Sequence, residues 1–294
     1  MSPATWGLLL LLAVLWGCTF PFAEIALTDF QPLTIVLGRV GIASLGLMIW
    51  LRIRNIPLPR DAGLWLAFAA MGFLNNVIPF NLITQGQTQI TGSLASILNA
   101  TTPIFTVVLA HFLTKDEKLS AGRFVGVGCG VAGVAILMGG DALVGASDNV
   151  LGQGLVISAA LSYAFAGIFG RRFAKLNPAV AATGQLSTSA VMMLPIALIV
   201  EQPWAMAAPH WGSVAAIVAL ALLSTSVAYI LYFHILSVAG ATNLLLVTFL
   251  IPVSAVLLGT TFLGEVLEAS HVAGMAVIAL GLAAIDGRLL RFFR

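Results

Sequence analysis

From Trp6 to Leu290 the chain is a succession of ten apolar runs, and each is long enough to cross a bilayer as a helix. The hydrocarbon core is about 30 Å thick, which takes about 20 helical residues. The runs extend approximately from Trp6 to Ala26, Pro32 to Leu51, Gly63 to Thr84, Thr91 to Leu113, Gly122 to Gly139, Gly152 to Gly170, Pro178 to Val200, Trp211 to Leu236, Asn243 to Leu263 and His271 to Leu290. Together they use roughly 200 positions, so the connections are short and no separate soluble domain fits. Strands of an outer-membrane barrel would be about ten residues long with alternating polarity, whereas these runs are apolar on every side. Charged residues make up only 8% of the chain, too few to clothe a water-soluble surface, and an apolar share of 60% excludes disorder. The expected fold class is all-α: a polytopic membrane protein with ten transmembrane helices.

The few charges are placed asymmetrically. Counted from a cytoplasmic N-terminus, the even-numbered connections and the C-terminal tail hold Arg52, Arg54, Arg60, Lys115, Lys118, Arg123, Arg171, Arg172, Lys175, Arg288, Arg291 and Arg294. The odd-numbered connections hold no base, and the remaining one, Arg39, lies inside the second run. By the positive-inside rule both termini face the cytoplasm. One span more or fewer would move several basic connections to the wrong side. The first run lacks a basic leader and an obvious cleavage site, so it reads as a retained span.

An internal repeat organises the runs. With Pro103 of the fourth set over Pro252 of the ninth, and one gap, Glu117-Lys-Leu119-Ser-Ala121 falls on Glu265-Val-Leu267-Glu-Ala269, Gly126 on Gly274 and Gly133 on Gly281. Residues 1–140 and 141–294 then form two five-helix repeats. Five is odd, so the second copy is inverted relative to the first, the usual construction of secondary transporters with a midplane site between the halves.

These residues resemble a known family. Leu15-Trp16-Gly17-Cys18-Thr19-Phe20 is similar to its first-helix signature, and Ser93 to Thr106 followed by Asp116-Glu117-Lys-Leu, with Ile251-Pro252 to Gly264-Glu265, is similar to its repeated helix-and-glutamate motif. On these motifs the chain is identified as a member of the drug/metabolite transporter superfamily, EamA type. It is similar over its whole length to bacterial aromatic-amino-acid exporters of the YddG kind. The resemblance implies an inner-membrane exporter of small metabolites, with amino acids of aromatic or large apolar side chain as the expected class. A broad metabolite or drug exporter is the alternative. Small multidrug antiporters of the superfamily carry a first-helix glutamate at mid-depth, where this chain has Trp16, which argues against cationic-drug antiport.

Polar groups at mid-depth mark the candidate site, because such a group in lipid must find a partner or line a wet cavity. Asn75 and Asn76 precede Pro79 by four and three residues, and the offset that pairs Pro103 with Pro252 carries them onto Ser224 and Thr225. Asn99 maps likewise onto Thr248, and Trp16 stands opposite Ser162 or Tyr163. Amide, hydroxyl and aromatic groups at one level suit a small zwitterion. The same residues could serve only as interhelical hydrogen bonds. Tyr229 and Tyr232 approach the cytoplasmic end, where an aromatic belt accounts for them. Pro79, Pro103 and Pro252 are candidate gating elements, with fixed kinks as the plainer reading.

Two charges lie within the spans. Glu24 and Arg39 have similar depth on adjacent helices, so an ion pair or snorkelling is the structural expectation, and contact with substrate or a proton the functional one. Glu117 and Glu265 are expected to cap or meet helix N-termini. His111 and His234 read as polar anchors at helix ends, and His210 and His271 carry no assigned role. Gly122, Gly126 and Gly130 allow close helix approach, within the monomer in preference to a dimer. Cys18 and Cys129 read as packing residues. No phosphate loop, H-E-x-x-H or Cys/His cluster occurs, so no cofactor, metal or ATP-driven chemistry is expected. The basic collar suits anionic lipid, not nucleic acid. An intramembrane enzyme or receptor is disfavoured, since no acid, base or nucleophile pair is evident at mid-depth.

Overall fold

The computed structural model describes residues 2–114, 121–143, 149–239, 244 and 247–286. Lys115, Asp116, Glu117, Lys118, Leu119, Asn243, Leu290, Arg288, Arg291 and Arg294 lie outside the described residues, as does the side chain of Arg123. All regular structure among the described residues is helical. In chain order the helices are α1 (Pro3–Ala26), α2 (Pro32–Ile53), α3 (Ala62–Gly86), α4 (Gly92–Leu113), α5 (Ala121–Leu143), α6 (Val150–Phe173), α7 (Pro178–Val200), α8 (211–239), α9 (247–263) and α10 (Ala269–Asp286). Seven of them, α1 to α4 and α6 to α8, are long and apolar enough to cross a membrane; α5, α9 and α10 contain the shorter apolar stretches Phe124–Ile136, Leu250–Leu263 and Ala269–Gly281.

The helix starts follow from local chemistry. Proline opens α1, α2 and α7, where its missing N–H costs nothing. Ser2, Asp61, Thr91 and Asn177 accept backbone N–H groups of the first turns of α1, α3, α4 and α7, satisfying donors that a helix cannot satisfy itself. Large side chains point away from the bundle: Leu45, Leu66, Val191 and Ile199 are 61–74% exposed, a surface that water would not tolerate and lipid does.

Small residues set the close contacts inside. The Ser44 and Ser187 hydroxyls bridge α2 and α7 at 2.8 Å. Gly17 lets α1 lie against Ser254 of α9, whose hydroxyl donates to the Ala13 carbonyl at 2.8 Å. The crossing of α5 and α10 is also close. A Cβ on Gly281 would come within 2.7 Å of the Gly126 carbonyl, and one on Gly133 within 3.0 Å of the Gly274 carbonyl. Gly126 aligns with Gly274 and Gly133 with Gly281 in the sequence, so the two contacts exchange partners as they would across a two-fold axis.

At Pro79 and Pro103 the helices depart from α geometry. Each proline leaves the carbonyl four residues earlier without its backbone donor. Residues Phe73–Val77 of α3 form a π-helical turn in which the Ile78 N–H reaches the Phe73 carbonyl. The next carbonyl, of Leu74, would then look to residue 79, which is proline; instead it accepts the Ser162 hydroxyl of α6 at 2.7 Å. In α4 the helix is interrupted at Ala100 and Thr101, and the Asn99 carbonyl freed by Pro103 accepts the Thr102 hydroxyl at 2.8 Å. A second π-helical stretch, Leu222–Val227 in α8, falls on the first under the offset that pairs Pro103 with Pro252. There the Thr225 hydroxyl donates to the Leu220 carbonyl at 2.9 Å. Pro252 itself lies inside the uninterrupted helix Val247–Leu258, so α4 is interrupted beside its proline and α9 is not.

Candidate functional site

A cavity of about 600 Å³ lies among α1 to α4 and α6 to α9, a size that holds a small metabolite. Trp16, Asn75, Asn99, Tyr163, Ser224, Thr225, Thr248 and Pro252 all line it. Asn75, Asn99 and Thr248 share one relation: each stands four residues before a proline, Pro79, Pro103 and Pro252. The proline therefore loosens the backbone at the residue that faces the cavity. Pro79 and Pro103 are not among its lining residues.

Asn76 departs from expectation. It is fully buried, and its amide donates to the Ser189 hydroxyl at 3.0 Å, so it joins α3 to α7 outside the cavity. Asn75, one position earlier, lines the cavity and donates to the side-chain Oε1 of Gln185 at 3.1 Å. Gln185 was not anticipated; a lone amide midway along an apolar run was the available signal. Tyr229 and Tyr232 also line the cavity instead of a belt, and the Tyr232 ring lies 5.5 Å from that of Trp16. Thr225, Tyr229 and Tyr232 are spaced as one helical face, which was legible in the sequence.

Two residues of the lining carry side-chain oxygens without a partner. The Asn99 side-chain oxygen and the Ser224 hydroxyl are buried with no hydrogen-bond partner among the described residues. Leaving such groups unpaired costs about 1–3 kcal/mol each, so both are sites where a ligand's donors gain most.

Arg39 and Glu24 do not pair. Arg39 lies on the cavity wall; its Nε donates to the Thr225 hydroxyl at 3.1 Å, and its guanidinium carbon sits 3.7 Å from the centre of the Phe80 ring. Enclosing an ion costs several kcal/mol, and a desolvated cation–π contact returns about 2 kcal/mol. The guanidinium is thus incompletely compensated by the protein.

Carboxylates instead gather at the end of the bundle remote from the basic connections. Glu24 accepts the Gly92 N–H at 3.0 Å. Glu265 accepts the Ser93 N–H at 3.2–3.3 Å and also the Ser93 hydroxyl, as expected of a glutamate at a helix N-terminus. Glu201 accepts the N–H groups of Leu33 and Thr34 at 2.8 and 2.6 Å and the Thr34 hydroxyl at 2.7 Å. Asp29 accepts the His210 N–H at 2.9 Å and the Ser213 hydroxyl at 2.6 Å, and pairs with the His210 ring at 2.9 Å. His210 therefore has a structural part that its position in a connection did not announce. The Ser213 and His210 hydrogen bonds hold the Asp29 carboxyl down to about 2. Glu201, Glu265 and Asp29 each join one half of the chain to a helix N-terminus in the other, where the helix dipole favours negative charge.

The cavity reaches only the opposite end. Its lining runs to Gly170, Phe173, Ala174, Leu176 and Pro178 beside the basic connection 171–177, and includes no residue of connections 27–31, 87–91, 201–210 or 264–268.

Comparison with known proteins agrees with this architecture. The EamA-like transporter family profile matches residues 5–139 and again residues 150–285. The uncharacterized inner membrane transporter YedA of Escherichia coli (strain K12) is 28% identical over 95% of this chain and 89% of its own. The uncharacterized transporter YoaV of Bacillus subtilis (strain 168) is 25% identical over 92% of each. A probable amino-acid metabolite efflux pump of Escherichia coli (strain K12) is 28% identical over 58% of this chain and 55% of its own. A crystal structure at 19% identity shares the fold, with a TM-score of 0.70 over 97% of this chain and 98% of that one. The chain belongs to the EamA-like transporter family and is a multi-pass membrane transporter, not an enzyme.

Proposed function

We propose that this EamA-like transporter exports small metabolites from the bacterial cytoplasm across the inner membrane, and that its substrates are amino acids with aromatic or large apolar side chains. The observation that carries the reading is the cavity itself: Trp16, Tyr163 and Tyr232 offer aromatic surface beside the unsatisfied Asn99 and Ser224 acceptors, at the level where the two halves meet. A similar protein named as a probable amino-acid metabolite efflux pump supports the substrate class.

Transport proceeds by alternating access between two inverted five-helix repeats, residues 1–140 and 141–294. The double family match, the coincident π-helical stretches of α3 and α8, and the exchanged glycine contacts of α5 and α10 support the repeat. With ten spans and both termini in the cytoplasm, as the distribution of bases favours, the cavity faces the cytoplasm and the carboxylate-bearing end is shut. The protein is then poised to load. Because Gly126, Gly130 and Gly133 of α5 are engaged within the chain, a monomer is the working unit.

The test is efflux and counterflow of each amino acid from proteoliposomes containing the purified protein, with and without a pH gradient. Saturable, counter-exchanging flux of aromatic and large apolar amino acids is expected. Flux of none of them overturns the reading, and equal flux of unrelated cations and sugars favours a broad metabolite or drug exporter instead.

A further inference from the structure

Arg39 is the only basic residue that lies more than two residues from an end of an apolar run, and it lines the cavity. A guanidinium carries five N–H donors in a fixed fork and keeps its charge at any physiological pH. Here Nε is used by the Thr225 hydroxyl and one face is covered by Phe80. No hydrogen bond from the two terminal nitrogens to a described residue accompanies them, and no described carboxylate forms an ion pair with the group. Nε and one face of the fork are thus engaged, and Arg39 is among the residues that line the cavity.

The opposite chemistry is present on the same wall. Asn99 and Ser224 offer buried oxygen atoms without donors. The aromatic pair Trp16 and Tyr232 lies beside them on the lining. We infer that Arg39 is the anion anchor of the transport site, taking a substrate carboxylate on its terminal N–H groups. The substrate's ammonium is accepted by Asn99 and Ser224, and its apolar side chain lies on Trp16 and Tyr232. The anchor rests on the transport reading and narrows it: the substrate bears a carboxylate, and an amine lacking one is rejected because the guanidinium would stay uncompensated.

Matched ligands test this without altering the protein. Phenylalanine, 3-phenylpropionate, which lacks the ammonium, and phenethylamine, which lacks the carboxylate, are titrated against purified protein by tryptophan fluorescence and thermal shift. The same three are then compared as counterflow substrates in proteoliposomes. The expected order is phenylalanine, then phenylpropionate, with phenethylamine weaker than phenylalanine by roughly 10²-fold. R39Q is expected to lose that discrimination, and R39K, which keeps the charge without the fork, to restore part of it; elution as a monodisperse peak confirms that each variant is folded.

Arg39-dependent binding of the two carboxylates without any flux would overturn the transport reading and leave the anchor standing. Saturable flux of phenylalanine in R39Q at wild-type affinity would overturn the anchor and leave the transport reading standing, as would phenethylamine competing as well as phenylalanine. Binding of none of the three by the wild-type protein would overturn the anchor.

Discussion

The two ends of the bundle are built by different physics. At the end remote from the bases, Glu201, Glu265 and Asp29 reach from one half of the chain to helix N-termini of the other and replace their missing backbone acceptors. At the basic end the described carboxylate, Asp61, caps its own helix at Leu64, and the cavity runs out between Phe173, Leu176 and Pro178. Directional hydrogen bonds need a fixed register, whereas apolar and aromatic surface can slide and part. On the proposed alternating-access reading, a carboxylate-stapled end has two discrete arrangements, made or broken, and suits a gate that is shut during loading.

Removing the staple that reaches deepest should break the contrast most. E265A strips the Ser93 N–H and hydroxyl of their acceptor, with an expected loss of about 2–4 kcal/mol at charge-assisted bonds, measured by thermal unfolding in detergent. In a C18A/C129A background carrying N99C, a membrane-impermeant maleimide should react from the basic side in the parent and from both sides once E265A is added. Unchanged labelling would show that Glu265 does not close that end.

F173A works on the other end. The Phe173 ring contacts those of Phe68 and Phe169 at 5.4 and 6.2 Å, and its half-buried truncation should cost about 1–2 kcal/mol. Labelling of N99C should stay confined to the basic side and quicken there; new reactivity from the stapled side would mean the two ends are not independent.

E201Q keeps a neutral acceptor for Leu33 or Thr34 and gives up the charge, for about 1 kcal/mol. Because Glu201 meets the first turn of α2, which also carries Arg39, the same variant should shift counterflow affinity less than it shifts the melting temperature. The reverse ranking would assign Glu201 to the site instead of the staple.

The smallest effect is a pH dependence. Asp29 is held at about 2 against an ordinary 3.8. Folding stability from this group is complete above 3.8 and fades as pH falls from there through about 2. D29N should flatten that acid limb of a melting-temperature profile and leave it parallel to the parent at neutral pH. A limb that survives in D29N belongs to the other carboxylates.

Local signals were readable in the chain itself. The spacing of Asn75, Asn99 and Thr248 four residues before prolines marked cavity positions, because proline acts on its own helix at a fixed distance. The glutamate at 265 was legible as a helix-terminus ligand for the same kind of reason. What escaped was every property set by which helix faces which. Asn75 and Asn76 are adjacent, both amides at mid-depth, and only their partners on α7, Gln185 and Ser189, decide that one faces the cavity and the other does not. Glu24 and Arg39 share a depth but not a neighbour, since α4 supplies the amide for one and α8 the hydroxyl for the other. His210 meets Asp29 across 181 residues, a separation at which local pattern carries no information.

The π-helical turns have a historical consequence. A π turn is an α-helix with one residue too many, and it is usually retained only where the resulting bulge is useful. The turns in α3 and α8 fall in register under the same offset that pairs Pro103 with Pro252, so no later gain or loss separates them. On the repeat reading, the extra residue entered an ancestral five-helix chain before that chain was duplicated. The bulge then already served an assembly of two such chains in opposite orientations, and the present protein inherited both copies, with Asn75 on one and Ser224 on the other.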